Sequence, residues 1–301
     1  MMCHIEVIMS TFNGKENVVR QLDSILAQIG VEVSVLIRDD GSTDGTLRLL
    51  EQYCLAHDNV RVITGKNIGW RKSFLCGLEV AGKADYYAFS DQDDVWLPNK
   101  LIECVDILES HKSEEPSMVH CNRYSCDEEL NPFDKQSIKT PRPINKKNAL
   151  TQEYVQGCTI VMNVAAKELV TKHKPDDLAP HDFWTGLLCY YFGKVYYTDS
   201  RLIYHIRYKN SESDAGNIKA GQKSRLKNLF GKRDMYYNPS KDMLEGYSDL
   251  LTEKDKVFLS HAAKSKTSLA SRVLLFFDPE FRRISIKGTI MLKLSIAFGR
   301  F

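Results

Sequence analysis

The chain has 301 residues, enough for one large or two modest domains with a sizeable core. Its 43% hydrophobic and 27% charged residues are those of a soluble globular protein, and no run approaches the ~20 apolar residues that span a bilayer. The net charge of +2 hides an asymmetry: residues 219–301 carry 17 Lys+Arg against 8 Asp+Glu, leaving 24 against 31 on residues 1–218. A basic tail on an acidic body is either a solvated face or a contact for an anionic surface.

Eight cysteines are scattered with no C-x-x-C pair, which argues against zinc and for thiols packed in a reducing compartment. No signal-peptide pattern precedes the first strand-like run, so a cytoplasmic location is expected.

In chain order, residues 5–9 alternate apolar with polar and predict a strand, followed by the turn Ser10-Thr11-Phe12-Asn13-Gly14. Residues 16–29 carry a helical stripe through Val18, Leu22, Ile25 and Ile29. A valine-rich strand over 32–38 ends in Asp39-Asp40-Gly41-Ser42-Thr43-Asp44-Gly45-Thr46, where Ser42 or Thr43 can cap the next helix. A third strand over 60–64 leads through Asn67-Ile68-Gly69 into a third helix, and a fourth strand over 86–90 runs into Asp91-Gln92-Asp93-Asp94-Val95-Trp96.

Strands and helices alternating every 25 to 30 residues predict βαβ units on a parallel sheet, whose ligands sit at the carboxyl ends of the strands. Ser10–Asn13, Asp39–Asp40, Asn67 and Asp91–Asp94 all fall at such ends. Any one of these clusters could be a helix cap; four together point to a site. Crowded carboxylates call for neutralisation, and a hard divalent cation shared with substrate phosphates supplies it. Neither G-x-G-x-x-G nor G-x-x-x-x-G-K-[ST] is present, so a Rossmann dinucleotide site and a P-loop are excluded. A carboxylate at the second strand end can bind a base or ribose and the acidic triplet can hold a metal over a diphosphate, which together describe a nucleotide-sugar site.

The ordered set Ser-Thr-Phe-Asn-Gly, Asp-Asp-Gly-Ser-Thr-Asp-Gly-Thr, Asn-Ile-Gly and Ser-Asp-Gln-Asp-Asp-Val-Trp resembles the nucleotide-binding half of a family 2 glycosyltransferase. Its last member resembles the rhamnosyltransferase-like branch of bacterial polysaccharide biosynthesis, and the likeness covers residues 4–205. It implies the α/β GT-A fold, a mostly parallel central sheet flanked by helices with a helical C-terminal extension. The catalytic domain would occupy residues 1–210, with a nucleotide-sugar half over 1–98 and an acceptor half over 99–210. The extension over 211–301 would be basic.

The resemblance also implies roles. Thr11, Asn13 and Asp40 would bind the nucleoside, with Asn67, Asp91 and Gly157 completing the nucleotide-sugar pocket. Asp91 and Asp93 would be the D-x-D pair holding Mn²⁺ or Mg²⁺, Asp93 as ligand and Asp94 in support. Asp182, which on sequence alone reads as a helix cap, would be the base of an inverting transfer. His205, or Arg207 in its stead, would approach the metal or diphosphate. One departure stands out: many relatives carry a second Asn after Asn-x-Gly, where this chain has Arg71 and Ser73. The implied partners are a UDP- or dTDP-linked sugar and a glycan or lipid-linked saccharide, with no nucleic acid.

Two rival readings come from other classes. Asp91-Gln92-Asp93-Asp94-Val95 also fits the nucleophile motif of haloacid dehalogenase-type phosphohydrolases. The fold could also serve as a non-catalytic nucleotide-sugar-binding subunit.

Beyond the acidic triplet, residues 98–111 predict a helix, 118–123 a strand and 124–150 a polar loop. A strand over 156–163 follows, in which Cys158 reads as packing. His181 beside the candidate base reads as structural, and Trp184 as a sugar-stacking face or core. Residues 194–197 and 201–206 predict two short strands. In the extension, residues 216–232 are basic. Ile286, Ile290, Leu294, Ala297, Phe298 and Phe301 form one helical stripe that either packs on the catalytic domain or lies in the interface of the cytoplasmic membrane.

Overall fold

In a computed structural model the chain is described over residues 2–133, 142–208 and 239–301. It divides into two compact units, one of residues 1–140, 154–172 and 179–207, the other of residues 141–153, 173–178 and 208–301.

The first unit holds an eight-stranded sheet. The expected βαβ run forms its first half: β1 (His4–Thr11), α1 (Val18–Leu26), β2 (Glu32–Asp39), α2 (Thr46–Ala56), β3 (Val60–Thr64), α3 (Trp70–Glu79) and β4 (Tyr86–Ser90). It continues with β5 (Val95–Trp96), α4 (Lys100–Ser110), β6 (Ser117–Cys126), a turn of 3₁₀ helix (Gly157–Thr159), β7 (Ile160–Asn163), α6 (Val164–Thr171), α7 (His181–Phe192) and β8 (Lys194–Ile206). The short helix α5 (Lys146–Ala149) belongs to the second unit.

The strand order is β3-β2-β1-β4-β7-β6-β8-β5. β3, β2, β1 and β4 are mutually parallel, β7 runs antiparallel to both β4 and β6, and β8 is parallel to β6. β1 can sit centrally because all of Ile5–Thr11 is buried. Alternate residues then serve opposite faces. Ile5, Val7 and Met9 pack with Val18, Leu22 and Ile25 of α1 and Leu101, Cys104 and Val105 of α4. On the other face Ile8 meets α3 so closely that a Cβ on Gly77 would lie 2.7 Å from it. Phe74 of α3 packs edge-on against Phe89 of β4, with ring centroids 5.7 Å apart.

Three local expectations are corrected. Gly45, in the left-handed region, and not Ser42 or Thr43 stands at the N-terminus of α2, because Asp44 Oδ1 takes the Thr46 N–H at 2.9 Å. Residues 194–206 form one strand instead of two, since β8 follows β6 through register shifts around Asn122 that absorb the polar residues at 198–200. Part of the 124–150 loop is ordered as the end of β6 and as α5, the latter capped by Asn145 Oδ1 accepting from Asn148 N.

The second unit adds α8 (Pro239–Tyr247), α9 (Glu253–Ala263), α10 (Leu269–Phe277) and α11 (Ile286–Ala297). Its core includes Met243, Tyr247, Leu259, Phe281 and Ile296, all fully buried. Sequence placed residues 141–153 with the acceptor half; they pack in this unit because Lys147 pairs with Asp278 at 2.7 Å and Glu280 at 2.8 Å, while Asn148 Nδ2 donates to Arg282 O at 2.7 Å. The basic stretch over 216–232 lies outside the described residues.

Candidate active site

All the candidate site residues lie in the first unit. At the end of β1, Thr11 is buried and its Oγ1 donates to Asp39 Oδ2 at 3.1 Å. Asn13 adopts a left-handed backbone, φ 49°, and its Oδ1 accepts from Thr43 N at 2.8 Å while its own N–H donates to Ser42 Oγ at 2.9 Å. The loops after β1 and β2 are thereby clamped together. Gln92 ties in the acidic loop, accepting from Phe12 N at 2.9 Å and donating to Phe12 O at 3.2 Å.

Asp40 is only 2% exposed and its carboxylate is taken up by the protein. It pairs with Arg38 and accepts from Ile68 N at 2.9 Å and Gly69 N at 2.8 Å. Asp40 thus fixes the 67–69 loop, in which Asn67 Oδ1 accepts from Gly69 N at 3.1 Å. Ser73 is likewise used internally: it takes bonds from Ser10 Oγ at 2.6 Å and Arg38 Nη1 at 3.0 Å. Breaking a buried pair strands the remaining charge. Asp40→Asn is therefore expected to lower unfolding free energy by about 3 kcal/mol or more, read by urea denaturation; a loss below about 1 kcal/mol, the size of a surface ion pair, would remove the pair from this role.

The acidic loop draws together residues far apart in sequence. Asp91, Asp94, Cys158 and His205 each offer a ligand atom, all within 4.8 Å of one another. Asp94 is buried, and His205 Nδ1 lies 2.7 Å from its Oδ1. Burial opposes ionisation of Asp94, yet the charge and hydrogen bond of His205 hold its carboxyl below the usual range. Its Oδ2 is buried without a hydrogen-bond partner. Asp91 is pushed well up by burial and by the charges of Asp94, Asp93 and Asp182. Asp93 stands beside this group; burial and Asp94 push it up to about 6 against the pull of His205. The Cys158 thiol is also pushed well up, by burial and then by Asp94 and Asp91. Two carboxylates, one of them with an orphaned buried oxygen, and an imidazole suit a hard or borderline cation. The cluster includes Asp91 and His205 of the expected ligands, with Asp94 where sequence favoured Asp93.

Asp182 opens α7. Its Oδ1 accepts from Phe183 N at 2.8 Å and its Oδ2 from Gly157 N at 3.2 Å. Burial raises its carboxyl, and the two amides and the Arg71 charge restrain the rise. Asp182 lies close enough to Asp91 for its charge to help raise that carboxyl. Trp184 is fully buried and serves the core.

His181 is structural but not satisfied. It is buried with neither ring nitrogen hydrogen-bonded, stacked on Phe74 at 3.9 Å and edge-on to Phe89 at 4.8 Å. A Cβ on Gly157 would lie 2.3 Å from its Nε2, so only glycine leaves the imidazole in place. Burial pushes His181 down to about 3. Unfolded, the ring titrates near 6.5, so between those values the unfolded chain binds a proton that the folded one refuses. Stability therefore declines as pH falls through that window, by up to ~1.4 kcal/mol per pH unit. Urea unfolding of the wild type should lose about 1.6 kcal/mol more between pH 6.5 and pH 5 than His181→Leu; equal pH dependence would contradict the assignment.

Sequence reasoning missed one further cation and left another, Arg71, without a role. Lys100 is fully buried with Nζ 2.9 Å from the Trp96 ring centroid, and burial pushes it down to about 8. Nothing marked it, since a lysine opening a helix reads as solvated. Arg71 stacks over Trp70 at 4.5 Å and bears on Asp182, with its Nε buried and unbonded. The departure from the Asn-x-Gly pattern was its signal.

A sheet whose strand ends carry a carboxylate–imidazole cluster beside a separately held carboxylate has the parts of a sugar-nucleotide transferase. Residues 6–170 match the model of Glycosyl transferase family 2, more than half of the chain, and the protein belongs to that family. It is 36% identical over 105 residues to the dTDP-rhamnosyl transferase RfbG of Shigella flexneri, covering 33% of this chain and 36% of that protein. It is 29% identical over 111 residues to the UDP-Glc:alpha-D-GlcNAc-diphosphoundecaprenol beta-1,3-glucosyltransferase WfaP of Escherichia coli, covering 36% of this chain and 42% of that one. The matches thus span about a third of the length of the first curated relatives.

Among solved structures, S. aureus TarS 1–349 in complex with UDP-GlcNAc aligns with TM-score 0.58 at 18% identity, over 93% of this chain and 77% of that one. The mannosyltransferase PcManGT from Pyrobaculum calidifontis, in complex with GDP-Man and Mn²⁺, aligns with TM-score 0.56 at 17% identity, over 99% and 86%. The fold is GT-A-like. The family match takes in the strand ends at Ser10–Asn13 and Asp39–Asp40, which the phosphohydrolase reading leaves without a role.

Proposed function

We propose that the protein is a metal-dependent inverting glycosyltransferase. It would move a hexosyl or deoxyhexosyl unit, such as rhamnosyl, from a UDP- or dTDP-linked donor to a hydroxyl of a glycan or lipid-linked saccharide in bacterial cell-surface polysaccharide synthesis. The observation that carries this reading is Asp182, a partly buried carboxylate oriented by the Gly157 and Phe183 amides and electrostatically linked to the acidic rim. The names of RfbG and WfaP, which specify a dTDP-rhamnosyl and a UDP-Glc transfer, support the donor and acceptor classes.

In this reading Asp182 takes the acceptor proton as that oxygen attacks the anomeric carbon. Thr11, Asn13 and Asn67 line the nucleoside side, and Asp40 acts by shaping the 67–69 loop. Gly157 forms the sugar wall and fixes the base. Asp91, Asp94 and His205 would hold Mn²⁺ or Mg²⁺, with Asp93 and Arg207 alongside; the cation, when bound, supplies electrostatic stabilisation of charge on the leaving diphosphate. Action at the inner face of the cytoplasmic membrane fits a lipid-linked acceptor.

A thermal-shift panel of UDP-, dTDP- and GDP-sugars with Mn²⁺ or Mg²⁺ tests the reading, because a ligand that binds only the native state raises apparent stability. A cation-dependent shift with one nucleotide class supports it. The absence of any shift, together with hydrolysis of simple phosphomonoesters, would overturn it.

A further inference from the structure

The helices of the second unit display apolar side chains where a soluble surface would hide them. In α11, Leu292 and Ile296 face the core, yet Ile286, Ile290, Leu294 and Phe298 recur along the opposite side and are all exposed, Ile286 by 81%. In α10, Leu275 is buried while Leu269, Val273 and Phe277 line the outside, Phe277 75% exposed. These are well-formed helices: Ser268 Oγ caps α10 through Ser271 N, and Ser285 Oγ caps α11 through Gly288 N. Packing between them is fixed by Lys293 Nζ, which donates to Leu275 O and Asp278 O at 2.8 Å each. A helix that is apolar on its outer side as well as its inner one needs a second apolar neighbour.

Charge selects that neighbour. From Lys264 to Phe301 the chain carries eight Lys+Arg against two Asp+Glu. Both acids, Asp278 and Glu280, are engaged by Lys147. Arg282 and Lys287 are exposed between and beside the apolar stripes. A second copy of so cationic a face would be repelled by the first. An anionic bilayer meets both demands, with acyl chains for the aromatic and aliphatic side chains and headgroups for the cations. No helix among the described residues is long and apolar enough to cross a membrane, so the contact is interfacial.

We infer that the outer faces of α10 and α11 form a surface that binds anionic lipid bilayers peripherally. The surface gives the membrane option named above specific residues, but it rests on its own observations and not on the sugar-transfer reading.

The test is co-sedimentation of the full chain with phosphatidylcholine vesicles and with mixed phosphatidylcholine–phosphatidylglycerol vesicles, at low and high salt. Binding to the mixed vesicles should be at least about tenfold tighter and should weaken with salt. The variant Phe277→Ser/Ile286→Ser changes two exposed side chains and should keep the wild-type melting temperature while losing roughly tenfold or more in partition. Arg282→Glu/Lys287→Glu should lose a similar factor on mixed vesicles and little on neutral ones.

Equal binding to both vesicle types, no binding, or unchanged binding by the variants would overturn the inference. So would a dimer, seen by light scattering, that the serine variant dissociates, for the face would then be an interface between copies. Donor-induced thermal shifts measured on the same variants keep the two readings apart, because loss of vesicle binding with intact donor shifts leaves the enzyme standing.

Discussion

Replacing Asp182 by Asn is expected to lower sugar transfer by a factor on the order of 10²–10⁴ while leaving donor binding in place. Asn has nearly the shape of Asp, and its carbonyl can still accept one of the two amides that now orient the carboxylate, from Phe183 and Gly157. The structural cost should be about 1 kcal/mol, that of one exchanged hydrogen bond. The lost group, by contrast, is the one proposed to accept the proton. Because burial raises the Asp182 carboxyl above the ordinary range, the acid limb of kcat/KM in the wild type should lie above the pH of an unperturbed carboxylate. Initial-rate assays across pH, paired with donor-induced thermal shifts, check both parts. Wild-type turnover in Asp182→Asn would remove the residue from the mechanism.

The second large effect concerns the acidic loop. Asp94→Asn is expected to weaken metal-dependent donor binding at least tenfold, more than Asp93→Asn does. The reason is positional. Asp94 shares the ligand group with Asp91, Cys158 and His205, is paired with His205 and presents an unbonded buried oxygen. Asp93 lies beside that group and carries a carboxyl pushed up to about 6. The Asp91 carboxyl is also raised, by burial and three neighbouring acids, and a cation needs it ionised, so cation binding should tighten as pH rises. Calorimetric titration of nucleoside diphosphate with and without Mn²⁺, in both variants, measures the contrast. A larger loss in Asp93→Asn would return the ligand role to the residue that the D-x-D pattern favoured.

Much of the first half was legible because short-range chemistry dictates it. β1, β2 and β4 are apolar runs, α1 carries a clear stripe, and turn residues separate them. Parallel pairing with ligand-facing carboxyl ends follows from that alternation. Which groups those ends consume was not legible. Asp40 reads as a ligand carboxylate until Arg38 and the 68–69 amides are seen to occupy it, and Ser73 reads as available until Ser10 and Arg38 claim it. His181 shows the same limit. Its stacking partners Phe74 and Phe89 come from other elements, so neither its burial nor the need for glycine at 157 could be read locally. The stripe of α11 was visible on a helical wheel, but only packing revealed that Leu292 and Ile296 face inward, with Phe301 edge-on to buried Phe281, while Ile286, Ile290, Leu294 and Phe298 stay exposed.

The most direct test is anomalous diffraction from a crystal of the protein grown with Mn²⁺ and a nucleoside diphosphate. The account predicts a manganese peak among the Asp91 and Asp94 carboxylates and His205, with the diphosphate bound at the same strand ends. A peak elsewhere, or a diphosphate bound away from the strand ends with no cation beside it, would contradict the account.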